Sequence, residues 1–263
     1  MDFSGKNFVV TGAGSGIGRE VAFALLKRGA RVAAVDLHDY SLEETAKLAQ
    51  AGNDLTCHVA DVSDRATVNA LPDAVTAQLG APDGVIHCAG IIQPFVNVAD
   101  LDIKTIERVI EVNLMGTIYV AQAFLPALSS RPEAHLCNVS SMGGFIPFPG
   151  QTVYSASKAA VKLLSEGLYA ELLDSNVSVS VVMPGAVATN IVENSGIKAP
   201  DMDAGDYPAV PAPDAARIIL DGIEAGKLHI LVGKDAKSLN LFSRMAPARA
   251  IRMIQKKMKD LAG

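Results

Sequence analysis

The sequence predicts an α/β fold: one domain over residues 1–263, built on a doubly wound parallel sheet of about seven strands with helices on both faces. Short β-branched apolar runs alternate with helical patterns along the whole chain, the order typical of right-handed β-α-β units. Several of these runs are apolar throughout, as strands covered by helices on both faces are. No linker and no internal repeat divides the chain.

The predicted strands are short and rich in Val, Ala and Ile. They are Phe8–Thr11, Arg31–Asp36, Leu55–Val59, Gly84–Cys88, His135–Val139, Val177–Met183 and Leu228–Val232. Helical spacing of apolar residues predicts helices at Gly16–Arg28, Ser41–Ala51, Arg65–Leu79, Ile103–Leu114, Gly116–Leu128, Tyr154–Leu173 and Asp214–Ala225. Asn113 is a poor helix former close to Gly116 and predicts a kink there; a polar residue on a wet helix face explains it equally well.

Composition narrows the classes of function. A formal net charge of -5 gives no basis for nucleic-acid binding, and we find no run of about 20 apolar residues that predicts a membrane span. No cluster of His, Cys and carboxylates stands at ligand spacing, so no metal site is predicted. The cysteines Cys57, Cys88 and Cys137 lie in apolar strand-like runs and are expected to be reduced core thiols. No secretory signal is visible, and we expect a cytoplasmic protein.

A glycine-rich turn, Thr11-Gly-Ala-Gly-Ser-Gly-Ile-Gly18, follows the first strand and opens a helix. Glycines there let the backbone approach a pyrophosphate, and the helix N-terminus offers free N–H groups to the phosphates. Asp36 ends the next strand, where a carboxylate accepts the ribose hydroxyls. Its charge repels a 2′-phosphate and Leu37 brings no compensating cation, so NAD is favoured over NADP. A plain tight turn and a strand-end aspartate are the alternatives.

Tyr154 and Lys158 stand four residues apart in a predicted helix and share one face. An ammonium beside a phenol stabilises the phenolate and lowers the pKa of the tyrosine, although this spacing alone is common on solvated helices. Ser141 follows the fifth strand at the carboxyl edge of the sheet, where open α/β sheets bind ligands, or it only satisfies a turn. The Asp61-Val62 pair either contacts adenine or begins a helix. His87 is predicted to lie in the sheet.

Together these residues resemble the short-chain dehydrogenase/reductase family of oxidoreductases. The resemblance rests on motifs that stand in the family's order: TGAGSGIG at Thr11–Gly18, Asp61-Val62, Ala89-Gly90, Asn113, Ser141, YSASK at Tyr154–Lys158, and Pro184-Gly185 followed by Thr189. It implies a Rossmann fold and an NAD-dependent enzyme that interconverts a secondary alcohol and a ketone, assembled as a homodimer or homotetramer. One departure is His87-Cys88 in place of two asparagines, which removes side-chain hydrogen bonds that brace the sheet.

The resemblance also implies residue roles. Tyr154 is expected to be the general acid/base, and Lys158 to lower its pKa and bind the nicotinamide ribose. Ser141 is expected to hold the substrate oxygen, and Asn113 to position a water that connects Lys158 with solvent. The positions expected to hold the cofactor are Gly12, Ser15, Gly16, Ile17, Gly18, Asp36, Leu37, Asp61, Val62, Cys88, Ala89, Gly90, Tyr154, Lys158, Pro184, Gly185, Val187 and Thr189. A nicotinamide-sensing protein without turnover, or a dehydratase or epimerase on the same scaffold, are the competing interpretations.

The segment 185–213 is rich in Gly, Pro, Ala and Asp, and its length at the catalytic edge predicts a substrate lid. Only a short helical piece near Val187–Ser195 is expected within it. With Met142–Phe148 and Gln93–Phe95 it is expected to form a mainly apolar pocket. We therefore expect a lipophilic alcohol or ketone as the substrate.

The C-terminal extension 235–263 is longer than a compact core of this class needs. In Pro247–Leu261 a helical face is expected to carry Ile251, Ile254, Met258 and Leu261, with basic residues beside it at Arg249, Arg252, Lys256, Lys257 and Lys259. A basic amphipathic helix of this kind either contacts an anionic membrane peripherally or packs on its own or a neighbouring subunit.

Overall fold

Seven parallel strands form the central sheet in the computed structural model, which describes residues 1–197 and 209–262. The strands are β1 Asn7–Thr11, β2 Arg31–Asp36, β3 Leu55–Val59, β4 Gly84–His87, β5 Ala134–Val139, β6 Val177–Pro184 and, last in the chain, β9 His229–Val232. Their order is β3-β2-β1-β4-β5-β6-β9, so the direction of winding reverses between β1 and β4. The predicted doubly wound parallel sheet is confirmed.

Helices cover both faces of this sheet. They are α1 Gly16–Lys27, α2 Asp39–Ala49, α3 Arg65–Leu79, α4 Ile103–Ile110, α5 Gly116–Ser129, α6 Thr152–Glu171, α7 Ile191–Asn194, α8 Ala212–Glu224, α9 Lys234–Met245 and α10 Pro247–Ala262. Two apolar clusters fill the space between the layers. One contains Val10, Ile86 and Val182 under α1 and α8, and the other contains Val9 and Val85 under α3 and α5. Alternate strand residues thus face opposite helical layers, as the strand period of two requires.

The structure changes the local predictions at two places. At Asn113, where the sequence predicts a kink, α4 passes into α5 through a π-helical turn, Glu111–Met115. The helical piece expected from Val187 begins only at Ile191. Instead, Val187–Ala188 (β7) pairs in parallel with Val210–Pro211 (β8). This pairing joins the two ends of the segment predicted as a lid; its residues 198–208 lie outside the described part of the chain.

The cysteines differ in burial. Cys137 is buried and Cys88 is half-buried, but Cys57 is exposed, so it is not the core thiol that the sequence indicated. The reason is its place on β3, the edge strand of the sheet, where the apolar run is covered less completely than in the centre. All three are free thiols.

The continuous helix Ile103–Ser129 is long and apolar enough to cross a membrane by length and composition, contrary to the expectation from sequence. Its apolar residues have another role in this fold: Val112, Val120, Phe124 and Leu128 are buried in the cluster that joins it to the sheet and to α3. Core helices meet the same length and composition limits, and these contacts account for its apolar character.

Candidate active site

A cleft of about 510 Å³ follows the carboxyl edge of the sheet and crosses the reversal between β1 and β4. Open α/β sheets bind ligands at this point. Every position predicted to hold the cofactor lines the cleft, and Ser141 lines it as well. Asn113 does not; it is fully buried behind the wall. The fold therefore brings the predicted set together, while the individual roles stay predictions.

The glycine-rich turn is shaped by close backbone contacts. Gly12 has a φ of +66°, and a Cβ built there would lie 2.9 Å from the backbone nitrogen of Ala89. A Cβ on Gly18 would overlap the Gly12 carbonyl. Helix α1 begins at Gly16, so its N-terminal amides open into the cleft, an arrangement that suits the phosphates of a dinucleotide.

Asp36 ends β2 at the rim of the cleft. Its Oδ2 accepts a hydrogen bond from Gly14 N at 2.8 Å, and its Oδ1 accepts one from His38 N at 3.3 Å. Arg19, which sequence reasoning missed, also lines this end of the cleft. Its guanidinium donates to Thr45 Oγ1 at 2.9 Å and forms an ion pair with Glu44, so its charge is already matched.

Asp61 follows β3, and its carboxylate is held by hydrogen bonds and an ion pair with neighbouring residues. Its Oδ1 accepts from both the amide and the hydroxyl of Ser63, at 2.8 and 2.6 Å. Arg108, from α4, lies 3.4 Å from its Oδ2, and this partner was not foreseen from sequence. Burial acts to raise the pKa of Asp61, but the Ser63 hydrogen bonds and the Arg108 charge outweigh it, so the pKa is lowered. The helix N-cap is Asp64.

Tyr154 and Ser141 lie close together in the wall of the cleft, beside Gly143. Burial raises the pKa of Tyr154, and the hydrogen bond with the Ser141 side chain offsets this only in part. Ser141 is oriented by Gly143 N, which donates to its Oγ at 3.0 Å. Tyr154 is therefore a neutral phenol in this structure. The predicted lowering of its pKa by Lys158 is not found here.

Lys158 explains that difference. Its ammonium donates to the backbone carbonyl of Val139 at 3.0 Å, and the side chain is 4% exposed. Burial lowers the pKa of Lys158 to about 8. A Cβ on Gly90 would lie 3.0 Å from Lys158 Nζ and 3.2 Å from Asn113 Oδ1, so a side chain at this position would press on both groups.

Asn113 is held by the π turn rather than lying on a wet helix face. Its Nδ2 donates to Ile91 O at 2.9 Å and to Ser157 Oγ at 3.0 Å, and its Oδ1 accepts from Ile91 N at 2.9 Å. Ser157 in turn donates to Tyr154 O at 2.7 Å. Asn113 thus joins the segment after β4 to the helix that carries the tyrosine. A π turn inside an α-helix is often found at a functional site.

Gln93 supports the same helix and was not recognised as a site residue from sequence. Its Oε1 accepts hydrogen bonds from Val153 N at 2.8 Å and Tyr154 N at 2.9 Å, while its Nε2 donates to Gly150 O at 2.9 Å. It is fully buried, so it does not line the apolar pocket as expected. Gln93 instead caps the first turn of α6, next to the backbone of Tyr154.

His87 lies in the sheet, as predicted, and bridges β4 to β1. Its Nδ1 is 2.7 Å from Thr11 Oγ1, and Thr11 Oγ1 accepts from Ala89 N at 3.3 Å. His87 Nε2 is buried and has no hydrogen-bond partner among the described residues. Burial, and then the charge of Lys158, lower the pKa of His87 to about 3. The sequence predicts that His87 removes hydrogen bonds that brace the sheet. The bond between His87 and Thr11 replaces at least one of them.

The described first part of the predicted lid, residues 185–197, lines the cleft. Asn194 Nδ2 donates to Ser15 Oγ at 2.7 Å in the glycine-rich turn, and Ser195 Oγ accepts from Ile92 N at 3.0 Å. Asp235, at the start of α9, accepts from Ala186 N at 2.8 Å. The described part of the segment therefore contacts both ends of the cleft.

Comparison with known proteins identifies relatives over nearly the whole chain. The family model described as short chain dehydrogenase matches residues 6–199. A protein of Mycobacterium tuberculosis named as an oxidoreductase, SadH, is 35% identical over 96% of this chain and 95% of its own. The 1-deoxy-11-beta-hydroxypentalenate dehydrogenase of Streptomyces exfoliatus is 34% identical over 90% of this chain and 86% of its own.

Solved structures share the architecture. A short chain dehydrogenase/reductase from Burkholderia phymatum in complex with NAD superposes with a TM-score of 0.84 at 25% identity, over 93% of this chain and 95% of that one. A short chain dehydrogenase from Burkholderia cenocepacia in complex with NADP has a TM-score of 0.83 at 25% identity, over 97% and 99% of the two chains. The two structural relatives hold different nucleotides.

Proposed function

The chain belongs to the short-chain dehydrogenase family, and on that premise we propose that it is an NAD-dependent oxidoreductase that interconverts a secondary alcohol and a ketone. The observation that carries the proposal is that Tyr154 and Ser141 lie together at the cleft, with the buried Lys158 one helical turn from the tyrosine. An acid/base group, a hydroxyl donor and a buried cation are the groups that this reaction requires.

Tyr154 exchanges the proton of the reacting oxygen. As a neutral phenol it donates that proton to a ketone oxygen during reduction, and as a phenolate it accepts the proton of an alcohol during oxidation. Ser141 donates a hydrogen bond to the same oxygen and stabilises the negative charge that develops on it. Because burial raises the pKa of Tyr154, the geometry as it stands favours the protonated form, which serves reduction.

Lys158 is placed to return a proton to the tyrosine side of the cleft. Its ammonium is held at Val139 O, and a rotation about its flexible stem would move the charge towards the phenol. That cation would stabilise the phenolate needed for oxidation. Asn113 holds the helix from behind through Ser157, and the water predicted beside it belongs to this part of the proposal.

The residues of the cleft fit a nicotinamide dinucleotide. At Gly12 and Gly18 an added Cβ would meet the backbone of Ala89 and of Gly12, so the turn keeps this shape only without side chains there, and the α1 amides that open into the cleft suit phosphates. The bound nicotinamide supplies or accepts the hydride. NAD is favoured over NADP because the Asp36 carboxylate at the end of β2 would repel a 2′-phosphate, and because the Arg19 charge is already matched by Glu44.

A lipophilic substrate is supported by the apolar loop that follows Ser141 and by the name of one relative. Phe145, Ile146 and Phe148, directly after the Ser141 turn, form an apolar cluster with α9 and α10. The Streptomyces relative, 34% identical, has a name that records a hydroxypentalenate as the compound it dehydrogenates. We infer an apolar alcohol or ketone for this chain rather than a small polyol or a sugar.

Tyr154→Phe tests the reaction class. The variant should lose turnover by about a thousandfold, within the range typical for removal of a general acid/base, and should bind NADH with nearly unchanged affinity. Tyr169→Phe, which removes the same hydroxyl from a partly exposed site on α6, is the matched control and should keep full activity. Retained turnover in Tyr154→Phe would exclude the proposed mechanism. Net NADH formation from an added alcohol in the wild type separates an oxidoreductase from a nicotinamide sensor and from a dehydratase or epimerase.

Asp36→Ala tests the nucleotide preference separately. Without the carboxylate, kcat/KM with NADP should rise and kcat/KM with NAD should fall. Their ratio should shift by roughly tenfold to a hundredfold, which corresponds to the loss of one or two charge-assisted hydrogen bonds. Asp73→Ala removes an equal charge from the exposed face of α3 and should leave the ratio unchanged. An unaltered ratio in Asp36→Ala would show that another group selects the nucleotide.

A further inference from the structure

The positive charge of the chain is concentrated at its C-terminal end. Residues 234–263 carry eight Lys and Arg and two Asp, whereas residues 1–233 carry 15 Lys and Arg and 26 Asp and Glu. The two parts have formal charges of +6 and -11, which give the net charge of -5. Such asymmetry within one chain indicates a basic surface with an anionic partner.

These basic residues lie on a helical hairpin formed by α9 and α10, which meet at Ala246. We call residues 234–262 the C-terminal hairpin. Its inner face is already occupied: Ala250 and Ile254 are buried, and Phe242 and Met258 pack in the same cluster against Ile146. The apolar face that the sequence offered to a membrane is therefore used mainly inside the protein; the side chains of Lys259 and Leu261 lie outside the described set.

The outer face of the C-terminal hairpin combines cations with large apolar side chains. On α9 the exposed residues recur at helical spacing, and they are Lys234, Lys237, Ser238, Leu241, Arg244 and Met245. Leu241 is 61% exposed and Met245 76%. On α10, Ile251 is 45% exposed between the exposed Arg249 and Arg252. Within residues 1–197 and 209–262 we find no ion pair for these five basic side chains.

We propose that the outer face of the C-terminal hairpin docks the protein on an anionic phospholipid surface. The basic side chains would contact lipid phosphates, each adding to binding through the negative surface potential. Leu241, Met245 and Ile251 would enter the boundary between headgroups and acyl chains, which is how amphipathic helices bind in the membrane plane. A nucleic acid offers no comparable place for these three aliphatic side chains, so the mixture favours lipid.

The docked face would lie close to the loop beside Ser141, which suggests a route for substrate entry. The inner side of the C-terminal hairpin packs on Phe145, Ile146 and Phe148, which follow Ser141 directly. One helix diameter, about 10 Å, therefore separates the lipid from the loop beside the catalytic serine. An apolar substrate could pass from the bilayer to the cleft over this distance. This consequence rests on the proposed lipophilic substrate, whereas docking itself does not.

Vesicle co-sedimentation of the full chain tests the docking. The protein should pellet with phosphatidylcholine vesicles that contain phosphatidylglycerol, pellet much less with phosphatidylcholine alone, and be released by high salt. Lys237→Gln with Arg244→Gln should lower the partition coefficient roughly 25-fold, about fivefold for each charge near the surface. Leu241→Ser with Met245→Ser should lower it roughly tenfold through lost apolar burial.

The matched control is Lys47→Gln with Lys104→Gln, which removes two exposed charges from the acidic part of the surface and should bind vesicles as the wild type does. NADH binding is measured for every variant, so that a failure of the reductase proposal or of folding is seen separately. Equal pelleting of wild type and both hairpin variants, or equal pelleting with neutral and anionic lipid, overturns the proposal. So does a wild type that leaves vesicles untouched while Leu241→Ser with Met245→Ser changes its oligomeric mass, since the face then joins two copies.

Discussion

The two halves of the cleft are constructed differently. On the nucleotide side, from Thr11 to Val62, the cleft is lined by backbone at the ends of β1, β2 and β3 and by the carboxylates of Asp36, Glu44 and Asp61. On the catalytic side the reacting groups come from different elements and are positioned by side chains distant in sequence. Asn113 reaches Ser157 across 44 positions, and Gln93 reaches Tyr154 N across 61.

This difference predicts which substitutions should impair each half of the cleft. The nucleotide side depends on a turn whose backbone packs too closely for side chains at Gly12 and Gly18, so an added methyl group there should remove binding. The catalytic side depends on hydrogen bonds that fix the position of α6 relative to the sheet. Loss of one acceptor should therefore displace Tyr154 and leave nucleotide binding intact. Single substitutions can therefore separate binding from turnover.

The largest effect is expected on the nucleotide side, from Gly18→Ala. The new Cβ would overlap the Gly12 carbonyl and lie 3.2 Å from Ala13 N, which forces the phosphate-binding turn to open. NADH affinity should fall at least roughly 100-fold, about 2.7 kcal/mol, with a lower Tm. Fluorescence titration and thermal unfolding measure the two effects.

Gly167→Ala is the control for that change. It lies on α6, where a Cβ would meet nothing within 4 Å. The same methyl group there should leave NADH binding intact and should stabilise the helix by about 0.5–1 kcal/mol. Normal NADH affinity in Gly18→Ala would mean that the turn tolerates a side chain, and the contrast between the halves would fail.

The next effect is expected on the catalytic side, from Gln93→Leu. The substitution leaves Val153 N and Tyr154 N without their acceptor, and each buried unpaired amide costs about 1–3 kcal/mol. The first turn of α6 should shift, and because a displacement of about 1 Å can cost a hundredfold in rate, kcat should fall roughly tenfold to a hundredfold. The NADH dissociation constant should stay within about twofold.

Two further variants decide whether Gln93 acts by positioning. Gln78→Leu makes the same change on the exposed face of α3 and should alter neither parameter. Gln93→Glu keeps an oxygen acceptor for the two amides and should recover part of kcat. Equal losses of kcat and NADH affinity in Gln93→Leu, or no recovery in Gln93→Glu, would show a general loss of structure instead.

The same contrast explains what the sequence could predict. The strands, the glycine-rich turn and Asp36 depend on neighbours within a few residues, so local spacing was enough to find them. Gln93 sits in a loop without periodicity, and Arg19 and Arg108 occupy ordinary helix positions, so their partners became visible only with the fold. The raised pKa of Tyr154 was missed because burial and the attachment of Lys158 to Val139 are tertiary facts.

Other errors have the same origin. The π turn at Asn113 needs the contacts with Ile91 and Ser157, which lie 22 and 44 positions away. The exposure of Cys57 follows from the position of β3 at the edge of the sheet, which strand order in the sequence does not reveal. The pairing of Val187–Ala188 with Val210–Pro211 spans a segment whose composition predicts only irregular structure.

The smallest effect is expected at His87, which connects the two halves through Thr11. Its pKa is lowered to about 3, against about 6.5 in an unfolded chain. Between these values the unfolded state binds more protons, so the free energy of unfolding present above pH 6.5 falls as the pH drops towards 3. The slope is at most about 1.4 kcal/mol per pH unit, so wild type should lose about 2 kcal/mol more than His87→Asn between pH 7.5 and 5.

Urea unfolding at the two pH values measures this difference. His135 and His58, whose pKa values are also lowered, are common to both proteins, so their contributions cancel. Equal losses would mean that His87 can accept a proton without leaving Thr11, and that the bridge between the halves does not depend on a neutral ring.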